Sequence, residues 1–200
     1  MESFSEYAPA TWSRRGLEDA GYLGFCRFGA LRESRPPTDP GIYVLLRESD
    51  SAPVFLDQSL ATKRESFTVD VALLEREWVP GAQVVYIGKA TAGRNHDGIH
   101  RRLKQYRRTG DGRADNHSGG VWIFQLADAM DLTVCWKAAP GADDGRIAEL
   151  EHALLADFVH LYGRLPFANR VPLAFDWVVH TGRLRFYAQP SLQKLRHCDG

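Results

Sequence analysis

Apolar and polar positions along the chain form several short runs that predict β-strands. Residues 41–46 (GIYVLL) and 83–87 (QVVYI) are rich in β-branched and aromatic side chains, and the second run ends at Gly88. The runs 121–126 (VWIFQL) and 132–138 (LTVCWKA) predict two further strands by the same criterion. Strands and helices do not alternate regularly as they would in a parallel sheet, so the sequence predicts an α+β fold.

A helical pattern of apolar residues begins at residue 98 and continues to residue 108. At about 100° per residue, Ile99, Leu103 and Tyr106 share one face of this helix. Arg102 lies at the edge of that face. Three further basic side chains point away from it: Arg101, Lys104 and Arg108. The helix is therefore expected to pack through its apolar face and to present basic groups elsewhere.

The strongest helical pattern covers residues 147–162 and ends near Gly163 and Pro166. Five apolar side chains form its stripe: Ile147, Leu150, Leu154, Phe158 and Leu161. At about 100° per residue, Glu151 lies within about 40° of the centre of that stripe, whereas Glu149 points nearly opposite. A carboxylate that faces the protein body is costly unless it is paired or ligated. Glu151 is therefore a candidate metal ligand or, alternatively, the partner of an arginine in a buried ion pair.

Proline and turn residues divide the chain into three parts. Residues 1–39 are predicted to form an N-terminal extension that packs on the main domain. Closely spaced prolines near its end predict a connector to that domain. Within this extension, residues 11–33 are predicted to form a helical or irregular lead-in. The main domain is predicted over residues 40–170. Residues 171–200 are predicted to form a C-terminal extension with a hairpin that turns at residues 181–182.

The charge of the chain is balanced overall but unevenly distributed. Hydrophobic residues make up 44% and charged residues 25%, as in ordinary globular proteins. The 25 basic side chains equal the 25 acidic ones in number. Residues 86–113 nevertheless contain eight basic and two acidic side chains, and residues 164–200 contain six and two. Such blocks are typical of a groove for a polyanion, although a solvated helix face accounts for them equally well.

Several features of the sequence bear on where the protein resides. The longest uncharged stretch, Asn116 to Ala127, has twelve residues, and a membrane-spanning helix needs about twenty apolar ones. We therefore expect no membrane-spanning segment. The N-terminus has neither a basic start nor an apolar run, which argues against a signal peptide. The three cysteines are far apart and predict no disulfide framework. Together these features predict a cytoplasmic protein.

Two triplets and three further motif elements follow one another in a distinctive order. They are Gly41-Ile42-Tyr43, then Tyr86-Ile87-Gly88 with Lys89, then Arg102 with Tyr106 four residues later, then Glu151, and finally Asn169. Either triplet alone is weak evidence. All five elements, in this order and on the predicted strands and helices, resemble the GIY-YIG nuclease superfamily over residues 40–170. The resemblance implies a small central antiparallel sheet flanked by helices.

The resemblance also implies a role for each residue in the hydrolysis of a phosphodiester bond. Tyr43 would orient or deprotonate the attacking water and Tyr86 would hold the phosphate or water network, although which tyrosine is the general base stays open. Arg102 would clamp the scissile phosphate, with Lys89 as a second cation. Glu151 would bind Mg²⁺, with Mn²⁺ as a substitute. Two residues complete the set: Tyr106, which would hydrogen-bond within the site, and Asn169, which would fix a water or loop near the metal.

The same resemblance implies that the substrate is DNA, with double-stranded DNA favoured. Four basic side chains of the predicted helix would bind this nucleic acid: Arg101, Lys104, Arg107 and Arg108. Cutting both strands would favour a homodimer or a partner subunit. The alternatives are a nucleic-acid-binding module without catalytic activity, or a subunit of a larger restriction or repair assembly.

The sequence departs from the compact members of the superfamily in two spacings. A long connection, residues 49–82, separates the two triplets, and a second insertion, residues 91–98, precedes the arginine helix. Inserted loops often carry recognition, so the target of the enzyme stays open. The site residues also have plainer interpretations, with the two tyrosines as core aromatics, Lys89 as a solvated loop residue and Asn169 as a turn residue.

Overall fold

Four short segments pair into one antiparallel sheet. In the computed structural model, which describes residues 4–60, 68–93, 97–110, 120–169, 178–180 and 183–185, these strands are Leu23–Arg27 (β1), Gly41–Leu46 (β2), Val84–Ala90 (β3) and Thr133–Ala138 (β4). Their order across the sheet is β1-β4-β2-β3, and every neighbouring pair is antiparallel. The strands β1 and β3 therefore form the two edges.

Five α-helices accompany the sheet in the described part of the chain. They are Arg14–Asp19 (α1), Val71–Glu77 (α2), Gly98–Gly110 (α3), Gly120–Ile123 (α4) and Asp144–Tyr162 (α5). Short 3₁₀ turns occupy Phe4–Glu6, Phe28–Ala30 and Ala129–Asp131. The longest helix, α5, begins where the Asp143 side chain accepts a hydrogen bond from the Arg146 amide, and ends at Gly163 with φ of 73°. The predicted α+β fold is confirmed.

The sheet separates two layers of core residues. Alternate side chains of β2, which is buried along its whole length, point to opposite faces. One face packs against α3, in a cluster that includes Tyr43, Leu45, Ile99, Leu103, Tyr106 and Phe124. The other packs against α5, in a cluster that includes Ile42, Val44, Ile147, Leu150, Leu154 and Phe158. The predicted apolar faces of both long helices are thus the faces that cover the sheet.

Two predicted strands differ from the structure. β3 does not stop at Gly88 but continues to Ala90, because Gly88 and Lys89 pair with Tyr43 and Ile42 across the sheet. The predicted strand over 121–126 is wrong. This run forms α4 and a following turn, and of its residues only Leu126 makes an isolated bridge. A short apolar run is compatible with either a buried helix or a strand, so periodicity alone does not separate them.

The N-terminal region adds a strand that the hydrophobic pattern does not reveal. β1 pairs with β4, but Gly24 and Phe25 have φ values of 101° and 41° and interrupt its register. A bulge of this kind breaks the alternation of apolar and polar positions. Residues 11–33, expected as a helical or irregular lead-in, therefore contain both the helix α1 and an edge strand of the central sheet.

One residue of the predicted apolar stripe on α5 lies outside the core. Leu161 is 61% exposed, whereas Ile147, Leu150, Leu154 and Phe158 are all buried. Leu161 lies in the last turn of the helix, only two residues before Gly163. The periodicity of the helix is therefore right, but its last turn lies beyond the layer that covers the sheet.

The long connection between β2 and β3 is tied to the core from both sides. The buried Gln125 side chain accepts a hydrogen bond from the Val69 amide (2.7 Å) and donates to the carbonyls of Val69 (2.8 Å) and Leu56 (3.1 Å). The Ser59 amide donates to Thr68 Oγ1 at 3.3 Å. These bonds close the base of the insertion next to the sheet.

The chain divides into two compact units, residues 1–169 and 170–200. In the second, Val178–His180 (β5) pairs antiparallel with Arg183–Arg185 (β6). The turn predicted at residues 181–182 lies outside the described residues, as does most of the C-terminal extension. In the described ranges, no helix combines the length and the apolar character that crossing a bilayer requires.

Candidate active site

Three tyrosines from three different elements meet on the α3 face of the sheet. Tyr43 of β2 and Tyr86 of β3 have ring centroids 5.8 Å apart. Tyr106 of α3 lies 6.3 Å from Tyr43 and 5.8 Å from Tyr86. All three rings are buried in the same core cluster. The structure therefore brings together the three predicted tyrosines, and each is at once a core aromatic and a member of the candidate site.

Gly88 makes room for this arrangement. It pairs directly with Tyr43 across β2 and β3. A Cβ atom at position 88 would lie 2.6 Å from Tyr43 Oη and 2.6 Å from Tyr86 Cε1, which is shorter than a normal van der Waals contact. The missing side chain thus lets the Tyr43 phenol lie across the edge strand. Gly88 was not among the predicted site residues, although a glycine inside an apolar strand is a signal of close approach.

Hydrogen bonds join two of the phenols to the arginine of α3. The hydroxyls of Tyr43 and Tyr86 are hydrogen-bonded to each other, and the Arg102 guanidinium donates to the Tyr43 oxygen. Arg102 is only partly buried, because it lies at the edge of the apolar face of α3 as its position on the helix predicts. Tyr43 is therefore hydrogen-bonded both to a second phenol and to a charged guanidinium.

The three phenols differ in how strongly their surroundings raise the pKa of each. Burial raises the pKa of Tyr43 above its ordinary value, but the charge of Arg102 and the hydrogen bond from Tyr86 oppose that rise. Burial, together with the neighbouring phenols, holds the pKa of Tyr86 and of Tyr106 well above the ordinary value. Burial lowers the pKa of Arg102, but the nearby phenols raise it by more, so the pKa lies above its ordinary value. Arg102 thus stays charged, and Tyr43 is the phenol whose ionisation its surroundings assist most.

Lys89 and Glu151 form an ion pair on the α5 face of the sheet. Lys89 Nζ lies 2.6 Å from Glu151 Oε2. The Glu151 side chain is 13% exposed, whereas that of Glu149 is 72% exposed, so the predicted inward position of Glu151 on the helix is confirmed. The partner of Glu151 is a lysine of β3 and not the arginine that the ion-pair alternative named. Lys89 is accordingly neither a loop residue nor fully solvated.

The two halves of the site meet at the edge strand β3. Successive residues of a strand point to opposite faces, so Lys89 lies on the α5 face and the tyrosines on the α3 face. The charge of Glu151 nevertheless contributes to raising the pKa of both Tyr43 and Tyr86. The carboxylate and the phenols are therefore electrostatic neighbours, although they belong to opposite faces of the sheet.

The donor set suits a hard divalent cation held by one protein carboxylate. No cluster of three or more His, Cys, Asp or Glu side chains occurs among the residues that the structure describes. Mg²⁺ usually keeps several waters and takes only one or two carboxylates from the protein. Glu151, partly exposed and bound through Oε2 to Lys89, could supply such a ligand. A zinc site, which takes three or four nitrogen or sulfur ligands, does not fit these residues.

Asn169 acts on the site through the backbone of β3. Its Oδ1 accepts a hydrogen bond from the Ile87 amide at 2.8 Å, and its Nδ2 donates to the Ile87 carbonyl at 2.6 Å. The Ala168 amide donates to the Val85 carbonyl at 2.9 Å. The side-chain amide thereby pairs with the outer edge of β3 as a neighbouring strand would. Because Ile87 lies between Tyr86 and Gly88, Asn169 positions the strand that carries the site.

The remaining basic side chains of α3 lie away from the tyrosines. Arg101 pairs with Asp97 at 2.8 Å. Lys104 and Arg108 are exposed, and Arg107 is half-buried. Of the predicted basic residues on this helix, only Arg102 therefore joins the tyrosine cluster.

Comparisons of the chain with protein-family models, with curated proteins and with solved structures found no match. The functional interpretation therefore depends on the geometry described above and on the motif order in the sequence.

Proposed function

We propose that the protein is a metal-dependent endonuclease of the GIY-YIG type that hydrolyses phosphodiester bonds in DNA. The observation that carries this proposal is the convergence, at one edge strand, of a hydrogen-bonded Tyr86–Tyr43–Arg102 group and the Lys89–Glu151 ion pair. Phosphodiester hydrolysis needs a proton acceptor for water, cations at the phosphate and a metal ligand. These five side chains supply all three kinds of group.

The environment of Tyr43 supports its role as the group that receives a proton from the attacking water. Its oxygen already accepts from Arg102, whose positive charge favours the phenolate. A hydrogen bond donated by Tyr86 would stabilise the phenolate further. The sequence alone left open which tyrosine is the base, and the hydrogen bond of Tyr43 with Arg102 favours Tyr43.

The cations of the site would bind the phosphate. Arg102 has a planar fork of donors that suits phosphate oxygens, and it lies beside the proposed base. Lys89, which pairs with Glu151, would supply the second cation at the phosphate. When bound at Glu151, Mg²⁺ would act as a Lewis acid at the phosphate and stabilise the departing oxygen. Attack by water would leave a 5′-phosphate and a 3′-hydroxyl.

Duplex DNA is the substrate that the charge distribution favours. Residues 86–113 carry eight basic and two acidic side chains, and Lys104, Arg107 and Arg108 of α3 lie outside the tyrosine cluster. Contacts of such residues with phosphates contribute affinity without specifying sequence. Cutting both strands would favour a homodimer or a partner subunit.

Cleavage of supercoiled plasmid by the wild type, Glu151→Gln and Glu149→Gln tests the proposal. The two variants remove the same charge from the same helix, but only Glu151 faces the sheet. We expect nicking or linearisation with Mg²⁺ or Mn²⁺ and none with EDTA. Glu151→Gln should lose it, and Glu149→Gln should retain it. Full activity of Glu151→Gln, or activity in EDTA, would contradict the assignment.

The same samples separate the enzyme from a binding module. Salt-sensitive binding of DNA by all three proteins without cleavage would support a non-catalytic module or a subunit of a larger restriction or repair assembly. The Lys89–Glu151 pair is compatible with that alternative, because it satisfies both charges without a metal.

A further inference from the structure

A second concave surface lies on the flank of α3 that faces away from the site. It is a pocket of about 190 Å³ between α3 and the segment that follows the 3₁₀ turn Phe28–Ala30. Four of its lining side chains are basic or imidazole groups: Arg32, His100, Lys104 and Arg107. Its floor is apolar and includes the buried Leu31 and Leu103. We call this the α3 flank pocket.

The position of the pocket on the helix separates it from the tyrosine cluster. His100, Lys104 and Arg107 follow one another at helical spacing, so they share one side of α3. At about 100° per residue, that side lies about 150° around the helix from Arg102. Leu103 lies between them and packs into the core. A ligand in the pocket would therefore not contact the side chains proposed to cleave the phosphodiester bond.

The backbone around the pocket is held by hydrogen bonds at both ends of the segment that lines it. The Ser34 hydroxyl donates to the Leu31 carbonyl at 2.9 Å. The amides at the start of α3 donate to the same segment, that of His100 to Pro37 at 2.9 Å and that of Ile99 to Asp39 at 3.0 Å. The pocket is thus part of the folded core and not a gap between independent loops.

The charges of the lining identify the kind of ligand. Among the described residues that line the pocket, none carries a carboxylate. The cationic groups that line the cavity come from two parts of the chain, α3 and the segment that contains Arg32. A tetrahedral anion can accept hydrogen bonds from several directions at once, whereas a planar carboxylate suits a single fork. We propose that the α3 flank pocket binds a phosphate group.

Two sources could supply that phosphate, a DNA backbone bound at the proposed active site or a free phosphorylated small molecule. The first source rests on the proposed function and would extend the DNA contact around α3. The second does not depend on it. The phosphate contact itself can therefore be tested without metal and without cleavage.

The first experiment titrates the 200-residue chain with inorganic phosphate at constant ionic strength and monitors the backbone amide signals by NMR. We expect saturable shifts confined to the segment around Ser34 and to α3 near His100. Lys104→Ala and Arg107→Ala should each weaken phosphate binding about three- to tenfold. Arg15→Ala removes an exposed guanidinium outside the pocket and should leave phosphate affinity unchanged.

Unsaturable shifts, shifts spread over the whole surface, or equal weakening by Arg15→Ala and Arg107→Ala would overturn the proposal. Unchanged urea midpoints will show that the variants are folded. A second titration adds short duplex DNA to Glu151→Gln preloaded with phosphate. Displacement of phosphate identifies the DNA backbone as the source, whereas retention identifies a free phosphorylated ligand, and both support the pocket. Failure of plasmid cleavage would leave the phosphate titration unaffected, so the two proposals fail separately.

Discussion

Replacing Asn169 by alanine should destabilise the fold more than its position at the end of a loop suggests. Its side chain accepts from the Ile87 amide at 2.8 Å and donates to the Ile87 carbonyl at 2.6 Å. Ile87 is fully buried and Asn169 is 7% exposed, so water has little access to either group. Asn169→Ala therefore leaves a donor and an acceptor of β3 without partners.

The magnitude follows from these two lost bonds. An unsatisfied buried polar group costs about 1–3 kcal/mol, and β3 is an edge strand that water can approach after the truncation. We therefore expect a loss of about 2–4 kcal/mol in the free energy of unfolding, a large share of the roughly 5–15 kcal/mol of a typical domain. Asn169→Asp keeps an acceptor for the Ile87 amide but loses the donor, and should be at least as unstable.

Urea unfolding followed by tryptophan fluorescence measures this loss as a lower midpoint at an unchanged slope. Gln58→Ala, which removes an exposed amide from the same compact unit, should stay within about 0.5 kcal/mol of the wild type. If Asn169→Ala unfolds like the wild type yet loses DNA cleavage, the reasoning is refuted. Asn169 would then act in the chemistry and not by holding β3.

Two further predictions follow from the tyrosine cluster. Gly88→Ala should lower the free energy of unfolding by about 1–3 kcal/mol and displace the Tyr43 phenol, because the new Cβ would lie 2.6 Å from Tyr43 Oη. Urea unfolding measures the first effect and the plasmid assay the second. A wild-type cleavage rate would contradict this prediction. Raised pKa values of the buried Tyr86 and Tyr106 mean that the folded state keeps protons that the unfolded state releases near pH 10. Stability should therefore be unaffected by these groups below about pH 10 and fall above it, by about 1.4 kcal/mol per pH unit for each retained proton. Urea midpoints measured from pH 8 to 11 check this, and a constant midpoint would show that the phenols titrate freely.

The parts of the fold that depend on local pattern could be predicted from the sequence. β2 and the long helices α3 and α5 follow from apolar runs and helical spacing, which also identified Glu151 as the inward carboxylate of α5. β1 could not be predicted, because the positive φ values at Gly24 and Phe25 interrupt its alternation. The residues 121–126 were assigned to a strand because a short apolar run fits either type of element.

The contacts within the candidate site depend on pairings between distant residues. Lys89 and Glu151 are 62 positions apart, and no periodicity shows that β3 brings them within 2.6 Å. The pairing of Asn169 with Ile87 spans 82 positions. Gly88 is the exception, since a glycine within an apolar strand already signals that another group approaches closely.

Hydrogen bonds at the base of the β2–β3 connection make the geometry of the sheet independent of the length of that connection. Gln125 holds Leu56 and Val69, and the Ser59 amide bonds to Thr68, so the chain leaves and re-enters the core at adjoining points. For a flexible loop, each doubling of length costs only about 0.6 kcal/mol. Segments of different length and sequence between residues 60 and 68 could therefore be exchanged while Tyr43 and Tyr86 keep their register. The hydrogen bonds at its base thus make this connection structurally independent of the two strands that carry the tyrosines.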